Sequence, residues 1–429
     1  MDYFSWMKKR NLGFIFKRGR SLFDHYGISP QKAIHTINSL MDCFNGFECA
    51  PTFFVPGRVV ENNAAFIRIL QDRGAEIGVH GYNHIDLKAR TTKDALAQLQ
   101  YAVKVFRSNV LEVHGLRCPY LSCGDELIKA IPQGVFEYSS NKALRWDFER
   151  SKNGKYDQNV LKTIDTFYMA EEARSLCSLP WMRNVMVEIP VIIPDDLQFK
   201  DGLGYDQNDL ENVWVHLLEI TYAKAELFNL MFHPELASFC LNPFKALLKR
   251  ARAYDPGVWI ARLCDIAQWW NEKAAISANI ESSIDGTLII TLPDSSRARW
   301  VVKGIDLPDT AAWLGNYRSL SGKSYSIPEN IRPFIGIDRS FPEDMVEKLL
   351  NHGFILDRAE TAKSCSIFLD SSSMHDFPTE AALTNMIENS DRPLIRLWPW
   401  PDGYYSALCI TGDLDALSLR DYADRMRPD

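Results

Sequence analysis

Two histidines, His80 and His84, stand four positions apart in the segment EIGVHGYNH. At that spacing both imidazoles can face one ion, and neutral imidazole suits zinc and related divalent metals. A catalytic site of this kind adds one further protein ligand, often a carboxylate, and leaves positions for water. The spacing alone also fits two surface or helix-capping histidines, so the surrounding elements have to separate the two interpretations.

A third histidine, His233, ends the apolar run LFNLMF and precedes a proline. Burial near a metal would tune its pKa and the proline would fix the turn, so His233 is the candidate general acid. The alternative is a core histidine satisfied by a backbone carbonyl. The other histidines have no comparable setting, and we interpret them as structural or surface residues: His25, His35, His114, His216, His352 and His375.

The elements that would position these side chains alternate in type between Pro51 and Pro194. Short apolar runs (TFFV, EIGV, VHGL) predict strands, and the longer segments between them predict helices. Such alternation predicts parallel strands joined by crossover helices, with functional groups at the carboxyl ends of the strands. The pattern continues through VMVEIPVIIPDD and LFNLMFHP to a helix predicted over VWIARLCDIAQWW, which ends near Lys273.

The segments TFFVPG, GAEIGVHGYNHIDL, LRCPY and LMFHP occur in this order over about residues 50 to 275. Together they resemble the motifs of the polysaccharide deacetylase, or NodB-homology, family. The resemblance implies an α/β fold, a distorted (β/α) barrel, and a hydrolase that uses a divalent metal to remove acetyl groups. It covers roughly half of the chain.

The resemblance also implies roles for individual residues. His80 and His84 match the H-x-x-x-H motif that binds the metal. His233 matches the late L-x-H motif that supplies the general acid, with Met231 in place of leucine. The R-x-P-[YF] motif, whose arginine orients a catalytic carboxylate and which forms a wall of the groove, is matched by Arg117, Pro119 and Tyr120.

Trp146 and Asp147 lie where the family often keeps an aromatic ring and a carboxylate near the substrate. This match implies that Trp146 stacks on a sugar, since aromatic faces suit that contact. The alternative is that the tryptophan belongs to the core or the rim of the barrel.

The family's first strand normally ends in T-F-D-D and supplies the base and a metal ligand, but no such segment precedes TFFV. Two later segments offer carboxylates instead: PDD, with Asp195 and Asp196, and ITGDLDAL, with Asp413 and Asp415. We expect the second to fill the gap, with 406–417 as a permuted first strand beside TFFV. Asp413 is then expected to bind the metal and Asp415 to act as the base. Alternatively, these aspartates only cap the helix predicted over SLRDYADRM.

Three successive sequence patterns along the chain predict the domain organisation. The barrel domain is expected to span 1–275 and to be followed by short alternating runs, typical of a small β-rich domain, over 276–328. A C-terminal α/β segment follows over 329–429, and it carries the expected permuted strand. No repeat of fixed period is visible, which excludes solenoids and propellers.

Net charge, cysteine spacing and the length of apolar runs limit which partners and which compartment are expected. The 429 residues have a net charge of -7 and a pI near 5.8, and nucleic-acid binding normally needs a basic surface. The nine cysteines include no C-x-x-C pair, which predicts reduced thiols and neither a disulfide framework nor a thiolate zinc site. No apolar run has the length of a signal peptide or a membrane span, so a cytoplasmic protein is expected.

The leading hypothesis is therefore a metal-dependent hydrolase, with zinc as the expected ion, that removes acetyl from an N-acetylated sugar or glycan. A second hypothesis keeps the barrel and the metal but hydrolyses a non-peptide C–N bond in a small amide. A third, motivated by the missing N-terminal aspartates, is a carbohydrate-binding pseudoenzyme without catalysis.

Overall fold

The computed structural model describes residues 26–146 and 158–424. Asp147 and the basic segment before residue 26 lie outside these ranges. The strands are β1 (Thr52–Val55), β2 (Glu76–Val79), β3 (Gly115–Leu116), β4 (Tyr138–Ser139), β5 (Ala143–Arg145), β6 (Glu171–Glu172), β7 (Trp181–Arg183), β8 (Met186–Glu188), β9 (Val191–Ile193), β10 (Leu227–Phe232), β11 (Val258–Ile260), β12 (Asn279–Ser282), β13 (Thr287–Thr291), β14 (Trp300–Lys303), β15 (Thr310–Ala312), β16 (Arg318–Leu320), β17 (Ser324–Pro328), β18 (Ile335–Ile337), β19 (Leu356–Asp357), β20 (Ile367–Leu369), β21 (Leu394–Leu397) and β22 (Ser406–Asp413).

The helices cover the barrel strands and the later units. They are α1 (Gln31–Asn45), α2 (Gly57–Asp72), α3 (Thr92–Ser108), α4 (Asp125–Ala130), α5 (Gln158–Tyr168), α6 (Gln207–Ala223), α7 (Ala237–Arg252), α8 (Leu263–Ala274), α9 (Glu343–Asn351), α10 (Ser373–Asp376), α11 (Glu380–Asn389) and α12 (Leu419–Asp424). Side-chain hydrogen bonds to the backbone define where two of these helices, α3 and α6, begin. The Thr91 side chain accepts from the Asp94 amide at the start of α3, and Asp206 forms a capping box with Asp209 at the start of α6.

Parallel strands form a closed circuit. β1 pairs with β2, β2 with β3 and β3 with β4. The segments 138–145 and 186–193 then run side by side, because β4 pairs with β8 and β5 with β9. β9 pairs with β10, β10 with β22, and β22 with β1. The predicted fold class is confirmed: the sheet curls into a distorted (β/α) barrel, and each of these pairs is parallel.

The strand β22 closes this barrel between β1 and β10. Its residue Thr411 pairs with Thr52 on one side and with Met231 on the other. Every residue of β22 is buried, as expected for a parallel strand covered on both faces. The carboxyl end of β22 therefore meets the edge at which β2 and β10 end, beside His80 and His233.

One predicted helix is wrong at its start. The run VWIARLCDIAQWW was expected to be helical throughout, but Val258–Ile260 is the strand β11 and the helix α8 begins at Leu263. β11 pairs in parallel with the first half of β22, from Val258↔Ser406 to Ile260↔Leu408. β-branched and aromatic residues suit such a pleated, half-buried surface, and here the tertiary pairing decides.

Two smaller units follow the barrel. The β-rich unit contains the antiparallel sheets β12–β13–β17 and β15–β16–β14–β21. Because β21 contributes to the second sheet from Leu394–Leu397, the unit extends beyond the predicted range 276–328. The α/β unit contains the parallel sheet β19–β18–β20. Trp269 and Trp400 join these parts to the barrel, since Trp269 donates to the Pro399 carbonyl at 2.7 Å and Trp400 to the Ala225 carbonyl at 2.7 Å.

In the part of the chain that the structure describes, no helix combines the length and the apolarity that a membrane crossing requires. All nine cysteines lie within this part, and none forms a disulfide.

Candidate functional site

His80 and His84 follow β2 at the open edge of the barrel. The segment between them is an irregular turn through Gly81, whose φ of 72° suits glycine, and not a helical turn. His80 Nδ1 lies 2.8 Å from the Arg117 carbonyl oxygen. A carbonyl only accepts, so Nδ1 carries the proton and Nε2 is left to bind an ion. The side chains are 1% and 7% exposed.

Asp415 lies against both histidines. Its Oδ1 is 3.5 Å from His80 Nε2, and its Oδ2 is 3.3 Å from His84 Nε2. One donor atom from each of the three buried residues lies within 4.8 Å of the other two. Two imidazole nitrogens and one carboxylate oxygen are the donor set of a catalytic zinc site with further positions for water, so these residues fit a divalent ion.

Asp413 lies next to this group but has a different partner. Its Oδ1 accepts from Arg117 Nη1 at 2.9 Å, and its Oδ2 is 3.9 Å from His80 Nε2. The structure thus brings the two histidines together with both Asp413 and Asp415, but Asp415 is the carboxylate that lies between the histidines. The expected order, with Asp413 on the metal and Asp415 as the base, does not match this placement.

Arg117 is fully buried and held on several sides. Nε and Nη2 donate to the carbonyl and the hydroxyl of Ser140 at 3.2 and 3.0 Å, and Nη2 also donates to Thr411 Oγ1 at 3.0 Å. The guanidinium carbon lies 4.3 Å from the centre of the Phe54 ring. Because its other nitrogens are engaged, Arg117 presents Nη1 to Asp413 in one geometry, and charge-assisted hydrogen bonds of this kind are short and directional.

His233 directly follows β10 and pairs with Asp196. Its Nδ1 lies 2.8 Å from Asp196 Oδ1, and its backbone amide donates to Asp196 Oδ2 at 3.0 Å. Burial opposes the charged imidazole, but the Asp196 carboxylate, with a smaller contribution from Asp195, raises the pKa of His233 well above its usual value. The side chain is 13% exposed. A protonated imidazole at the mouth of the barrel is a suitable proton donor.

Asp195 and Asp196 were the alternative carboxylates for the metal. They form a separate group with His233, again with donor atoms within 4.8 Å of one another. Burial raises the pKa of Asp195 to about 7, and the charges of Asp196 and Asp413 add to this against the opposing effect of His233. Asp196 is therefore the partner of His233, and the carboxylate nearest to both His80 and His84 is that of Asp415, two residues after β22.

Pro119 and Tyr120 follow Arg117 and lie beside the histidines. Pro119 is buried and packs next to Gly81, and the Tyr120 ring stands edge-on to His84 with centroids 4.6 Å apart. Tyr120 has a φ of 61°, in the left-handed region where a bulky residue is strained. Both residues border the site, and their role as a groove wall stays a prediction.

Trp146 does not face the site in the way that stacking on a sugar requires. It is 3% exposed within the main apolar core, and the Lys224 ammonium lies 4.8 Å from the ring centre. A ring covered on its face and buried by the core has no free surface for a sugar. The prediction is corrected for this reason. Its companion Asp147 lies outside the described residues.

Sequence reasoning missed a buried polar group beneath the site. Thr411 donates to the Leu230 carbonyl at 2.9 Å, and the Asn229 amide donates to the Pro190 carbonyl at 2.9 Å and to Ser140 Oγ at 3.3 Å. The signal was present as single polar residues inside otherwise apolar strands, ALCIT and LFNLMF. A buried polar side chain needs a partner, and here the network supports Arg117.

The chain matches a known family over part of its length. Residues 30–137 match the family model described as polysaccharide deacetylase, a range that includes five of the site residues: His80, His84, Arg117, Pro119 and Tyr120. A peptidoglycan deacetylase from Helicobacter pylori is 21% identical over 234 residues, which is 47% of this chain and 72% of the relative.

Solved structures with partial likeness include two described as polysaccharide deacetylases. The one from Mycobacterium smegmatis has 17% identity and a TM-score of 0.43, over 57% of this chain and 79% of the other. The one from Pseudomonas aeruginosa PAO1 has 17% identity and a TM-score of 0.44, over 57% of this chain and 74% of the other.

Proposed function

We propose that this chain is a divalent-metal-dependent hydrolase that removes acetyl groups from an N-acetylated sugar or glycan, and the match of residues 30–137 to the polysaccharide deacetylase family supports this. The observation that supports this most is the meeting of three functional groups at one edge of the barrel. These are the group His80, His84 and Asp415, the pair Arg117 and Asp413, and the pair Asp196 and His233.

His80, His84 and Asp415 would hold the ion, and zinc is our choice because two imidazoles and a carboxylate suit it. When bound, such an ion polarises the acetyl carbonyl and lowers the pKa of water. This assignment reverses the order expected for the two aspartates. It is supported by the contacts of Asp415 with both histidines and by the ion pair that occupies Asp413.

The remaining residues move protons. Asp413, oriented by Arg117, takes a proton from the attacking water as the new C–O bond forms. His233, protonated and oriented by Asp196, gives a proton to the leaving nitrogen as the C–N bond breaks. Hydrolysis of the amide by one water gives acetic acid and the amine, which ionise to acetate and an ammonium ion. The proton taken up by Asp413 and the one given by His233 are exchanged with solvent before the next turnover, so atoms and charges balance. Tyr120 and Pro119 border the space where the sugar would lie.

The geometry of the site bears differently on the pseudoenzyme hypothesis and on the small-amide hypothesis. The pseudoenzyme hypothesis depended on the missing N-terminal aspartates, and the two carboxylates at the end of β22 weigh against it. The small-amide hypothesis uses the same catalytic groups, so it differs from the glycan hypothesis only in the substrate. The expected cytoplasmic location stays a prediction.

The test measures metal content and acetate release together. The purified chain is incubated with acetylated chitooligosaccharides, with peptidoglycan fragments and with small cyclic amides. We expect acetate from a glycan and a loss of both metal and activity in His80→Ala, with His114→Ala as the control because His114 pairs at the surface with Glu137. Turnover of the small amides alone would contradict the glycan proposal, and glycan binding with no turnover and no metal would favour the pseudoenzyme.

A further inference from the structure

A second group of potential metal ligands lies outside the site described above. It consists of Cys177, His352 and Glu380, which are 4%, 5% and 5% exposed. A donor atom from each residue lies within 4.8 Å of the donor atoms of the other two. The His352 Nε2 atom is 3.0 Å from Glu380 Oε1. A thiol is often buried, but an imidazole and a carboxylate that converge on it in the interior are unusual, because both are costly to bury without a partner.

The three residues come from two different units of the fold. Cys177 belongs to the segment that joins β6 to β7 in the barrel. His352 ends α9, and Glu380 begins α11, both in the α/β unit. The units touch at this point, since the Ala381 amide donates to the Ser175 carbonyl at 3.4 Å. The group therefore lies at a junction between the barrel and the α/β unit.

Glu226 lies beside this group without belonging to it. It immediately precedes β10, is 3% exposed, and accepts the Ser178 amide at 2.9 Å through Oε2. Ser178 directly follows Cys177, so the Glu226 carboxylate is close to the thiol. The junction thus contains one thiol, one imidazole and two carboxylates.

His352 and Glu380 form a hydrogen-bonded pair at 3.0 Å, and the Cys177 thiol is buried beside them. Thiol and imidazole ligands bind a metal in their deprotonated forms, so a divalent cation would take the place of the protons that these donors carry. Its charge would then be matched by the thiolate and the carboxylate around it.

We propose that Cys177, His352 and Glu380 form a second metal site for a divalent ion of the zinc type. Thiolate, imidazole and carboxylate are each zinc ligands. Bond lengths near 2.0–2.3 Å put tetrahedral ligands roughly 3.3–3.8 Å apart, so donor atoms within 4.8 Å need to move inward by about 1 Å. The ion would hold the α/β unit against the barrel.

The experiment uses the purified full chain without chelators and reads the two sites separately. Elemental analysis should give about two divalent ions per chain, and about one in His80→Ala. After exchange with Co²⁺, a thiolate-to-metal charge-transfer absorption should appear in the wild type and persist in His80→Ala. The proposed catalytic ligands are nitrogen and oxygen atoms, so this absorption reports on Cys177 and not on the catalytic ion.

Matched variants complete the test. Cys177→Ser should lose the charge-transfer absorption and one ion while the catalytic ion stays, and His352→Gln should lose the same ion. Cys365→Ser is the control, because Cys365 is a buried thiol beside Asp357 in the same unit. Absence of the charge-transfer absorption in the wild type, or an unchanged ion content in Cys177→Ser, would overturn the proposal. If Cys177→Ser does not fold, the ion content of His352→Gln and the spectrum of the wild type still test the proposal.

Discussion

Arg117 and Asp413 are 296 positions apart in the chain, yet Nη1 of the arginine donates to Oδ1 of the aspartate at 2.9 Å in the interior of the barrel. This ion pair gives the two C-terminal aspartates different environments. We therefore expect Asp413→Asn to keep the metal and to lower kcat by about 10²–10⁴-fold, as loss of a general base does. Asp415→Asn should lose the metal itself, because it removes one of three protein ligands.

Elemental analysis of the two variants, beside acetate release, distinguishes these outcomes. Asp421→Asn is a suitable control, since Asp421 is a buried carboxylate that binds Ser418 and the two asparagines Asn62 and Asn63. The opposite pattern, with metal lost in Asp413→Asn and kept in Asp415→Asn, would restore the order expected from the sequence.

The pH profile of kcat should depend on Asp196. The Asp196 carboxylate raises the pKa of His233, so the imidazole stays protonated to a higher pH, and activity is lost as pH rises through that pKa. Asp196→Asn removes the charge while its amide oxygen can still accept from Nδ1. The alkaline limb of the profile should then move to lower pH, with metal content unchanged. An alkaline limb at the same pH in both proteins would exclude this role for the pair.

Gly412 should be sensitive to any side chain. A Cβ atom at this position would lie 2.9 Å from the Phe53 ring and 3.0 Å from the Phe232 ring. Because both rings are packed in the barrel core, Gly412→Ala should destabilise the chain by about 1–3 kcal/mol through overpacking. Urea unfolding measures this, with Gly124→Ala as the control, since Gly124 has a φ of -75° and the atom nearest to a Cβ there, Lys88 Cγ, is 3.9 Å away. Equal stability of Gly412→Ala and the wild type would contradict the packing of β22 between β1 and β10.

Substitutions of Trp146 and of Tyr120 should differ in their effect on substrate binding, measured as KM. Trp146→Phe leaves a gap in the core, so it should lower stability by about 1–3 kcal/mol and leave KM unchanged. Tyr120→Leu removes a ring beside His84 and should raise KM with a smaller effect on stability. Steady-state kinetics and thermal unfolding on both variants provide the check. A raised KM in Trp146→Phe would return that residue to the substrate groove.

The barrel and its histidines could be predicted because their signals are local. A buried strand, the residues at its carboxyl end and a helix follow one another along the chain, so EIGV leads directly to His80. The same is true of LFNLMF and His233, and of the strand that precedes Arg117. The C-terminal strand could be inferred from a gap in the pattern together with a suitable apolar run before two aspartates.

The roles of those aspartates depend on contacts that no local pattern contains. Asp413 and Asp415 have the same residue type and lie two positions apart, and only the position of Arg117 separates their roles. Asp196 was considered as a metal ligand because nothing in the sequence shows that His233 faces it. β11 was assigned to a helix since its pairing partner lies about 150 residues later.

The late position of β22 has a consequence for biosynthesis. Ribosomes add roughly 5–20 residues per second, so about 9–35 s pass between the synthesis of Phe232, the end of β10, and that of Ser406, the start of β22. Throughout that interval β1 and β10 have no strand between them, and unpaired parallel edges attract other nascent chains. We expect the unfinished chain to depend on chaperones, and the metal to enter only after translation has delivered Asp415.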